Sequence, residues 1–373
     1  MTAVNDIEIR FASSSDEREA VYRFRYRIYV EEMGRYASIA DHQGKRLIED
    51  DDATSHLITA WQGDQLVGTA RLIWGGDAPF TARQIKQYDL AGFRAALPDD
   101  QMIIGERFMI EPALRGSDLL YSVFCFYMNF ANDHRIQLAF GDCEPHLLNV
   151  YQGLGYRAYT RNNVNSPQTG YLIPLVLVTE DIAYLERIGS PLAAVLSNFA
   201  GAARTPANLE ELLSAGKAVL SQRLIDAASY WSNVRQRLDR LEDGRSHLFD
   251  GMTPDQIQHC LGKSNVFTCA PGDRVIKKDN VAQNMFVVLN GIVEVRDGDD
   301  VLAVLPAGEM FGEIAFFLGL PRTRDVYAAT DDVEILSLSD SNLKDLIESH
   351  SETAAILLKN ITTLLCHRIA RSG

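Results

Sequence analysis

Cysteine is scarce and scattered. Five cysteines occur in 373 residues (Cys125, Cys143, Cys260, Cys269 and Cys366) and no two form a CxxC pair. That argues against a zinc site or other metal centre and against a disulfide framework, and it fits a reducing cytoplasm. Basic residues are in deficit: 36 Lys and Arg against 50 Asp and Glu leave a net charge of −14. Nonspecific nucleic-acid binding needs a basic surface, so no nucleic-acid partner is expected. No apolar run approaches a membrane span, and "MTAVNDIEIRF" is not built like a signal peptide. Peripheral membrane contact through an apolar face stays open, as does an oligomer. No internal repeat is visible. What is present is 46% hydrophobic residues, enough for a core in each of two domains, in a chain longer than one ordinary domain.

Residues 7 to about 178 alternate strand and helix patterns. "IEIRFA" alternates like a strand, and "SSSDEREAVYRFRYRIYVEEMG" opens with capping residues and carries Val21, Phe24 and Ile28 at helical spacing. "SHLITAWQGDQLVGTARLIWG" reads as a hairpin, "MIIGERFMIEP" as a dense strand, "SDLLYSVFCFYMNFANDHRI" as a helix and "LAFGDCE" as a strand. "HLLNVYQGLGYRAY" reads as a short helix, a glycine stop and a strand, before the last strand, "GYLIPLVLVT". Residues 180–245 lack strand patterns and predict a helical connector over 196–245. From 246 to 373 many short strands with turn glycines predict a β jelly-roll closed by two helical segments.

In "FGEIAFFLGLPRTRDVYA" a glycine precedes the start of a short helix. Gly312 permits close backbone approach, and the first-turn amides face an anion. Arg322 can return to a phosphate with a forked, charge-assisted bond. Glu313 would repel a phosphate, so it suits a sugar hydroxyl. With "LFDGMTPDQI", "APGDRVIKKDN" and "NGIVEV", these residues make 246–373 resemble a cyclic-nucleotide-binding domain. The resemblance implies Glu313 on the ribose 2′-hydroxyl, and Arg322 with the Ile314 and Ala315 amides on the cyclic phosphate. Thr323 stands where some cyclic-GMP binders carry threonine; cyclic AMP is the favoured ligand over cyclic GMP. Arg324 departs from the pattern, which has a small residue there. No helix-turn-helix sequence follows, so no DNA-binding activator is expected.

The element order of residues 1–195 suits a GNAT-type acyltransferase, an α/β fold with a mixed sheet. The donor loop of that fold corresponds to "PALRGSDLL", with Arg115, Gly116 and Ser117 as the expected donor contacts. Asp118 and Leu120 stand where small residues are usual. A nearer resemblance is to acyl-homoserine lactone synthases and N-acyl amino acid synthases. It rests on "RYRIY" (Arg25 to Tyr29), "IEDDDATSHLITA" (Glu49 to Asp52), "LVGTARLI" (Arg71), "IIGERFMI" (Glu106, Arg107, Phe108) and "NVYQGLGYRAY". The resemblance implies acyl transfer from acyl carrier protein. Arg35 replaces a family tryptophan, and Glu106 lies one residue before the arginine rather than three, an offset of the same strand parity.

The chemistry also follows from the residues. An amine must lose a proton before it attacks a thioester. Glu106 is the expected base; Glu49 and Asp52, with Tyr29, are expected at the substrate; Arg25, Arg71 and Arg107 either hold a substrate carboxylate or complete an ion-pair network. Against this stand plainer readings: a solvated acidic turn, structural ion pairs, and "YSVFCFYMNF" as core rather than acyl tunnel. The expected protein is a cytoplasmic N-acyltransferase moving an acyl chain, expected to be long, from acyl carrier protein or acyl-CoA to the amine of an amino acid, regulated by a cyclic nucleotide. The rivals are a nucleotide-gated protein lysine acetyltransferase and a non-catalytic docking sensor.

Overall fold

The computed structural model describes residues 7–160, 163–166, 168–197, 209–214, 219–220, 227–238, 240, 248–262, 264–281 and 284–372. It divides into two compact units. The first comprises residues 1–143, 150–162 and 173–215, the second 144–149, 163–172 and 216–373.

The first unit opens with β1 (Ile7–Phe11) and α1 (Ser15–Arg25). Ser14 caps α1: its hydroxyl accepts from the Glu17 amide, and the Glu17 carboxylate accepts from the Ser14 amide, which satisfies donors the first turn leaves open. Val21 and Phe24 face the core, and the helix runs on into a widened π-helical turn, Tyr26–Glu32. Next come β2 (His56–Gln62) and β3 (Gln65–Trp74), whose two-residue turn places Gly63 at φ +58°, as the twist of a tight hairpin requires. Two short helices that the sequence reading did not anticipate, α2 (Ala82–Gln87) and α3 (Ala91–Ala96), precede β4 (Met102–Ile110). Then follow α4 (Leu119–Asp133), β5 (Leu138–Cys143), α5 (Leu148–Leu154), β6 (Arg157–Ala158), β7 (Val164–Ser166), β8 (Gly170–Val178), α6 (Ile182–Arg187) and α7 (Ala193–Leu196), of which β7 and the first residues of α5 and β8 fall in the second unit.

The sheet runs β1-β2-β3-β4-β5-β8-β6, with β7 on β8. Two irregularities shape its centre. The parallel pairing of β4 with β5 covers only Met102–Ile104 against Leu138–Phe140, although both strands continue. The β3–β4 register slips between Thr69 and Arg71, where β4 holds one extra residue and Arg107 takes φ +57°. This is a bulge at a bulky residue in a sparsely populated conformation. One face of the sheet centre packs Ile73, Met102, Ile104, Phe140 and Val176 with Tyr88 and Phe93. The helix α4 buries Val123, Phe124, Tyr127 and Phe130, as expected of a core helix.

The stretch 180–245 departs from the sequence reading. Its described parts are the short helices α6, α7, α8 (Leu209–Ser214) and α9 (Ala227–Leu238), and a strand, β9 (Val219–Leu220), which pairs with Val266 and Phe267. Two residues are too few to show a period, so the strand left no trace in the pattern. The rest of the expected connector lies outside the described residues, and the boundary between the units falls inside it, at 215/216.

The second unit continues with α10 (Pro254–Leu261), β10 (Asn265–Cys269), β11 (Arg274–Ile276), β12 (Asn284–Asn290), β13 (Ile292–Asp297), β14 (Asp300–Pro306), β15 (Met310–Phe311), α11 (Glu313–Leu318), β16 (Asp325–Ala328), β17 (Val333–Ser339), α12 (Asp340–Ser349) and α13 (Ser351–Ser372). Two antiparallel sheets, β15-β12-β17-β10-β9 and β11-β16-β13-β14, form the expected jelly-roll. Tyr230 and Val234 of α9, Leu261, Leu346, Leu357 and Ile361 pack against Val266, Val287 and Leu336 of the first sheet.

Candidate functional site

The structure brings together the charged residues of four separate segments at the centre of the first unit. Arg71 on β3 is fully buried, and four carboxylates lie within reach: Glu106 in closest contact, Glu49 and Asp52 at 3.1 Å, Asp51 at 3.7 Å. Arg25, at the end of α1, donates to Asp52 at 2.7 Å, while its Nε and Nη2 meet no acceptor among the described residues. Arg107, aimed by the bulge, grips Glu49 with two bonds and lies 5.0 Å from the Tyr36 ring and 5.9 Å from the Tyr29 ring. All six expected charged residues are therefore in one network. The carboxylates of Glu49 and Asp52 are engaged by arginines, so neither is left open for an ammonium ion.

Electrostatics separates the acids. Burial alone would raise the Glu106 carboxyl, but Arg71 and Arg107 overcome it and pull its pKa down to about 2. Such a carboxylate is a weak base. Burial likewise opposes, and Arg25 with Arg71 reverses, the shift of Asp52, which ends below the usual range. One acid behaves oppositely. Asp142, near the end of β5, is raised to about 6 by burial and by the charge of Glu106. The Tyr88 hydroxyl lies between the two, 2.7 Å from Glu106 and 3.2 Å from Asp142. The sequence reading singled out neither Tyr88 nor Asp142. The available signal was one carboxylate in the otherwise apolar strand "LAFGDC".

In the donor loop, Arg115 is exposed and paired with Glu32 at 2.6 Å. Gly116 takes φ +83°, and the Ser117 hydroxyl donates to the Leu114 carbonyl while accepting from the Leu119 amide. Asp118 sits at the cap position of α4 without a side-chain cap bond. Among the described residues no cluster able to hold a metal ion is found, and no helix is long and apolar enough to cross a membrane.

In the second unit, Gly312 takes φ +80°, and a Cβ there would stand 2.6 Å from Arg322 Nη1. Both facts require glycine. Arg322 is buried and donates to the Gly312 carbonyl at 2.7 Å and to the carbonyl and side-chain oxygen of Asn284, each at 2.6 Å. Burial, opposed by Glu313 and Glu144, pushes its pKa down to about 10. Glu313 is buried at the start of α11 and accepts from Arg368 of α13 at 3.0 Å. Ile314 is exposed and Ala315 buried. A cavity of about 260 Å³ is lined by Glu313, Arg322, Thr323 and Arg324 and walled by apolar residues such as Val295 and Leu305. Arg324 is drawn aside to Asp297, 3.6 Å away. All six expected nucleotide residues thus surround one cavity, and Arg368 joins them from 46 positions beyond Arg322 in the sequence (368 − 322).

Comparison with known proteins agrees with both halves. Residues 20–178 match the family model described as N-acyl amino acid synthase FeeM, and residues 266–350 match that of the cyclic nucleotide-binding domain. Among curated relatives, the cyclic nucleotide-gated channel beta-3 of Mus musculus is 28% identical over 40% of this chain and 23% of its own length. The Homo sapiens channel beta-3 is 32% identical over 32% of this chain and 15% of its own length. The chain therefore spans less than a quarter of these two relatives. Among solved structures, the CoA-dependent acyl-homoserine lactone synthase BjaI is 19% identical over 50% of this chain and 90% of its own, with a TM-score of 0.39. The catabolite activator protein of Thermus thermophilus is 24% identical over 34% of this chain and 59% of its own, with a TM-score of 0.30. The chain thus joins a segment similar to the N-acyl amino acid synthases, residues 20–178, to one similar to cyclic nucleotide-binding domains, residues 266–350.

Proposed function

We propose that the first domain moves an acyl chain from a thioester carrier to the amine of an amino acid, and that a cyclic nucleotide held at Arg322 regulates this transfer. The observation that carries the first part is the buried network of Arg25, Asp52, Arg71, Glu106, Glu49 and Arg107 beside the point where β4 and β5 stop pairing. Of the three arginines, Arg25 keeps unused donors, which suits a substrate carboxylate. Acyl carrier protein is the proposed donor, with acyl-CoA as the donor to compare. Arg115, Gly116 and Ser117 are its proposed contacts, beside the α4 N-terminus, which favours phosphate.

Cyclic AMP is the proposed regulator ahead of cyclic GMP. Regulation is supported by where the chain runs. Residues 144–149, which continue β5, and 163–172, which hold β7 and the start of β8, belong to the second unit. There the Thr169 carbonyl accepts from the Asn280 side chain at 3.0 Å, and the Asn280 carbonyl accepts from the Arg322 amide at 2.9 Å. A phosphate that recruits Arg322 therefore pulls on backbone leading directly into two strands of the acyltransferase sheet. A ligand shifts an equilibrium only through such differential contacts.

Mass spectrometry of lipid extracts from cells making the wild type or Glu106→Gln tests the enzyme reading. An acylated amine is expected with the wild type and in smaller amount with the variant; no acylated amine from the wild type in the presence of cyclic AMP would refute it. For the pocket, Gly312→Ala is expected to weaken cyclic AMP at least about tenfold, since an alanine at positive φ costs about 1 kcal/mol and its methyl displaces Arg322. Isothermal titration calorimetry reads this directly, and unchanged affinity would place the ligand elsewhere.

A further inference from the structure

The acyltransferase reading leaves one titratable group unused, and its position is distinctive. β4 and β5 pair in parallel only as far as Ile104 and Phe140. One residue further on they still touch, for a Cβ at Gly141 would stand 3.2 Å from the Gly105 carbonyl oxygen. Beyond that point the ladder is open, and the next residue on each strand is a carboxylate, Glu106 on β4 and Asp142 on β5. The two acids differ in their partners. Glu106 spends one oxygen on Arg71 and receives the Tyr88 hydroxyl on the other. Asp142 has no cationic partner among the described residues; it meets only the Tyr88 hydroxyl and the Gln87 amide, each at 3.2 Å, and stays half-buried.

We propose that Asp142 is the catalytic base, taking the proton from the substrate ammonium, with Tyr88 as its positioning partner and Glu106 as the anchor of Arg71. This rests on the acyltransferase reading above. Tyr88 has one hydroxyl hydrogen and gives it to Glu106, the nearer acceptor. Its oxygen then remains an acceptor, so a protonated Asp142 has a hydrogen bond waiting for it. The arrangement accommodates both protonation states of Asp142, whereas the Arg71 contact favours only the charged form of Glu106.

The step balances as follows. The ammonium gives one proton to the Asp142 carboxylate and becomes a neutral amine. The nitrogen lone pair forms the C–N bond to the thioester carbonyl carbon. Collapse of the tetrahedral adduct breaks the C–S bond, and the second proton leaves nitrogen for the thiolate sulfur. The products are an amide, a free thiol, and the proton on Asp142, which returns to water.

The titration of Asp142 agrees with this placement. Burial first, and the charge of Glu106 second, raise its carboxyl to about 6. It is therefore ionised at neutral pH yet far more basic than Glu106. The groups that face it are Glu106 and Arg107 from β4, Gln87 and Tyr88 at the end of α2, and Tyr36, Tyr151 and Tyr159 from other segments.

The experiment uses the purified full chain, with the acyl chain and amine named by the mass spectra, following thiol release from acyl carrier protein and acyl-CoA across pH 5–9. Asp142→Asn is expected to lower kcat by a factor on the order of 10²–10⁴ with little change in the KM for the amine. Its residual rate should rise with pH, because water then supplies the neutral amine, and Asp142→Glu should restore part of the loss. The wild-type rate should fall below about pH 6, and that limb should be missing in the variant. Thermal melts give a readout independent of turnover. Because the folded-state pKa is raised above its ordinary 3.8, the wild type loses stability relative to Asp142→Asn as the pH rises through about 6. Undiminished kcat in Asp142→Asn, or a raised amine KM at unchanged kcat, overturns the assignment. Failure of the wild type to transfer from either donor overturns the acyltransferase reading itself, and this assignment with it.

Discussion

Arg71→Met lowers the stability of the first unit by about 3–5 kcal/mol, because it leaves buried acids without their cation. Asp52 and Glu106 are both nearly inaccessible, and Arg71 touches each of them. Arg25 remains on Asp52, but Glu106 keeps only the Tyr88 hydroxyl and the field of Arg107. Arg71→Lys recovers part of the loss, since an ammonium cannot fork between Asp52 and Glu106 as a guanidinium does. Urea melts followed by tryptophan fluorescence read this, with Trp61 and Trp74 reporting on the first unit. The pH dependence checks the mechanism. The folded Glu106 carboxyl sits at about 2 against an ordinary 4.5, so the folded chain resists that proton more than the unfolded chain does. Its contribution is complete above pH 4.5 and disappears as the pH falls toward 2. The wild type should lose stability across that window and Arg71→Met should lose much less. Equal midpoints for the two proteins at pH 7 would mean that the network contributes specificity rather than stability.

Arg322→Ala is expected to weaken binding of cyclic AMP, the proposed regulator, by about 100-fold or more. Charge-assisted hydrogen bonds are worth about 1.5–3 kcal/mol each, so the loss of two accounts for at least a hundredfold in affinity. Calorimetry measures the loss, and the same variant should transfer acyl groups at a rate that no longer responds to nucleotide. Asn280→Ala separates binding from response. It removes the bond to the Thr169 carbonyl but keeps the backbone carbonyl that accepts from the Arg322 amide. Nucleotide should still bind while its effect on transfer shrinks. A full response in Asn280→Ala would show that coupling runs through other contacts.

What was legible in the sequence follows the range of each interaction. Gly312 and Arg322 lie ten positions apart and meet directly, so the cassette could be read as a unit. The cap at Ser14 and the turn at Gly63 are shorter still. The charged residues of the acyltransferase domain were legible as a set, through the spacing of their motifs. Their pairing was not. Arg25 finds Asp52 across 27 positions and Arg71 finds Glu106 across 35. A bulge at Arg107, which no residue preference announces, decides that this side chain turns to Glu49. Tyr88 was invisible, because it reaches the site from the end of a six-residue helix too short to display a period.

The sequence by itself therefore determined the two domains, most of the strands and helices, the nucleotide cassette and the inventory of acids and arginines. Hydrophobic period, caps, turns and short motifs act over a few residues, and local interactions are written locally. Only the tertiary structure decided which carboxylate is clamped and which is left basic. Glu106 and Asp142 are the same functional group, 36 positions apart (142 − 106) on neighbouring strands. One meets Arg71 and the other meets only neutral donors, and the pKa of a buried acid is set by burial and by the charges beside it rather than by its place in the chain.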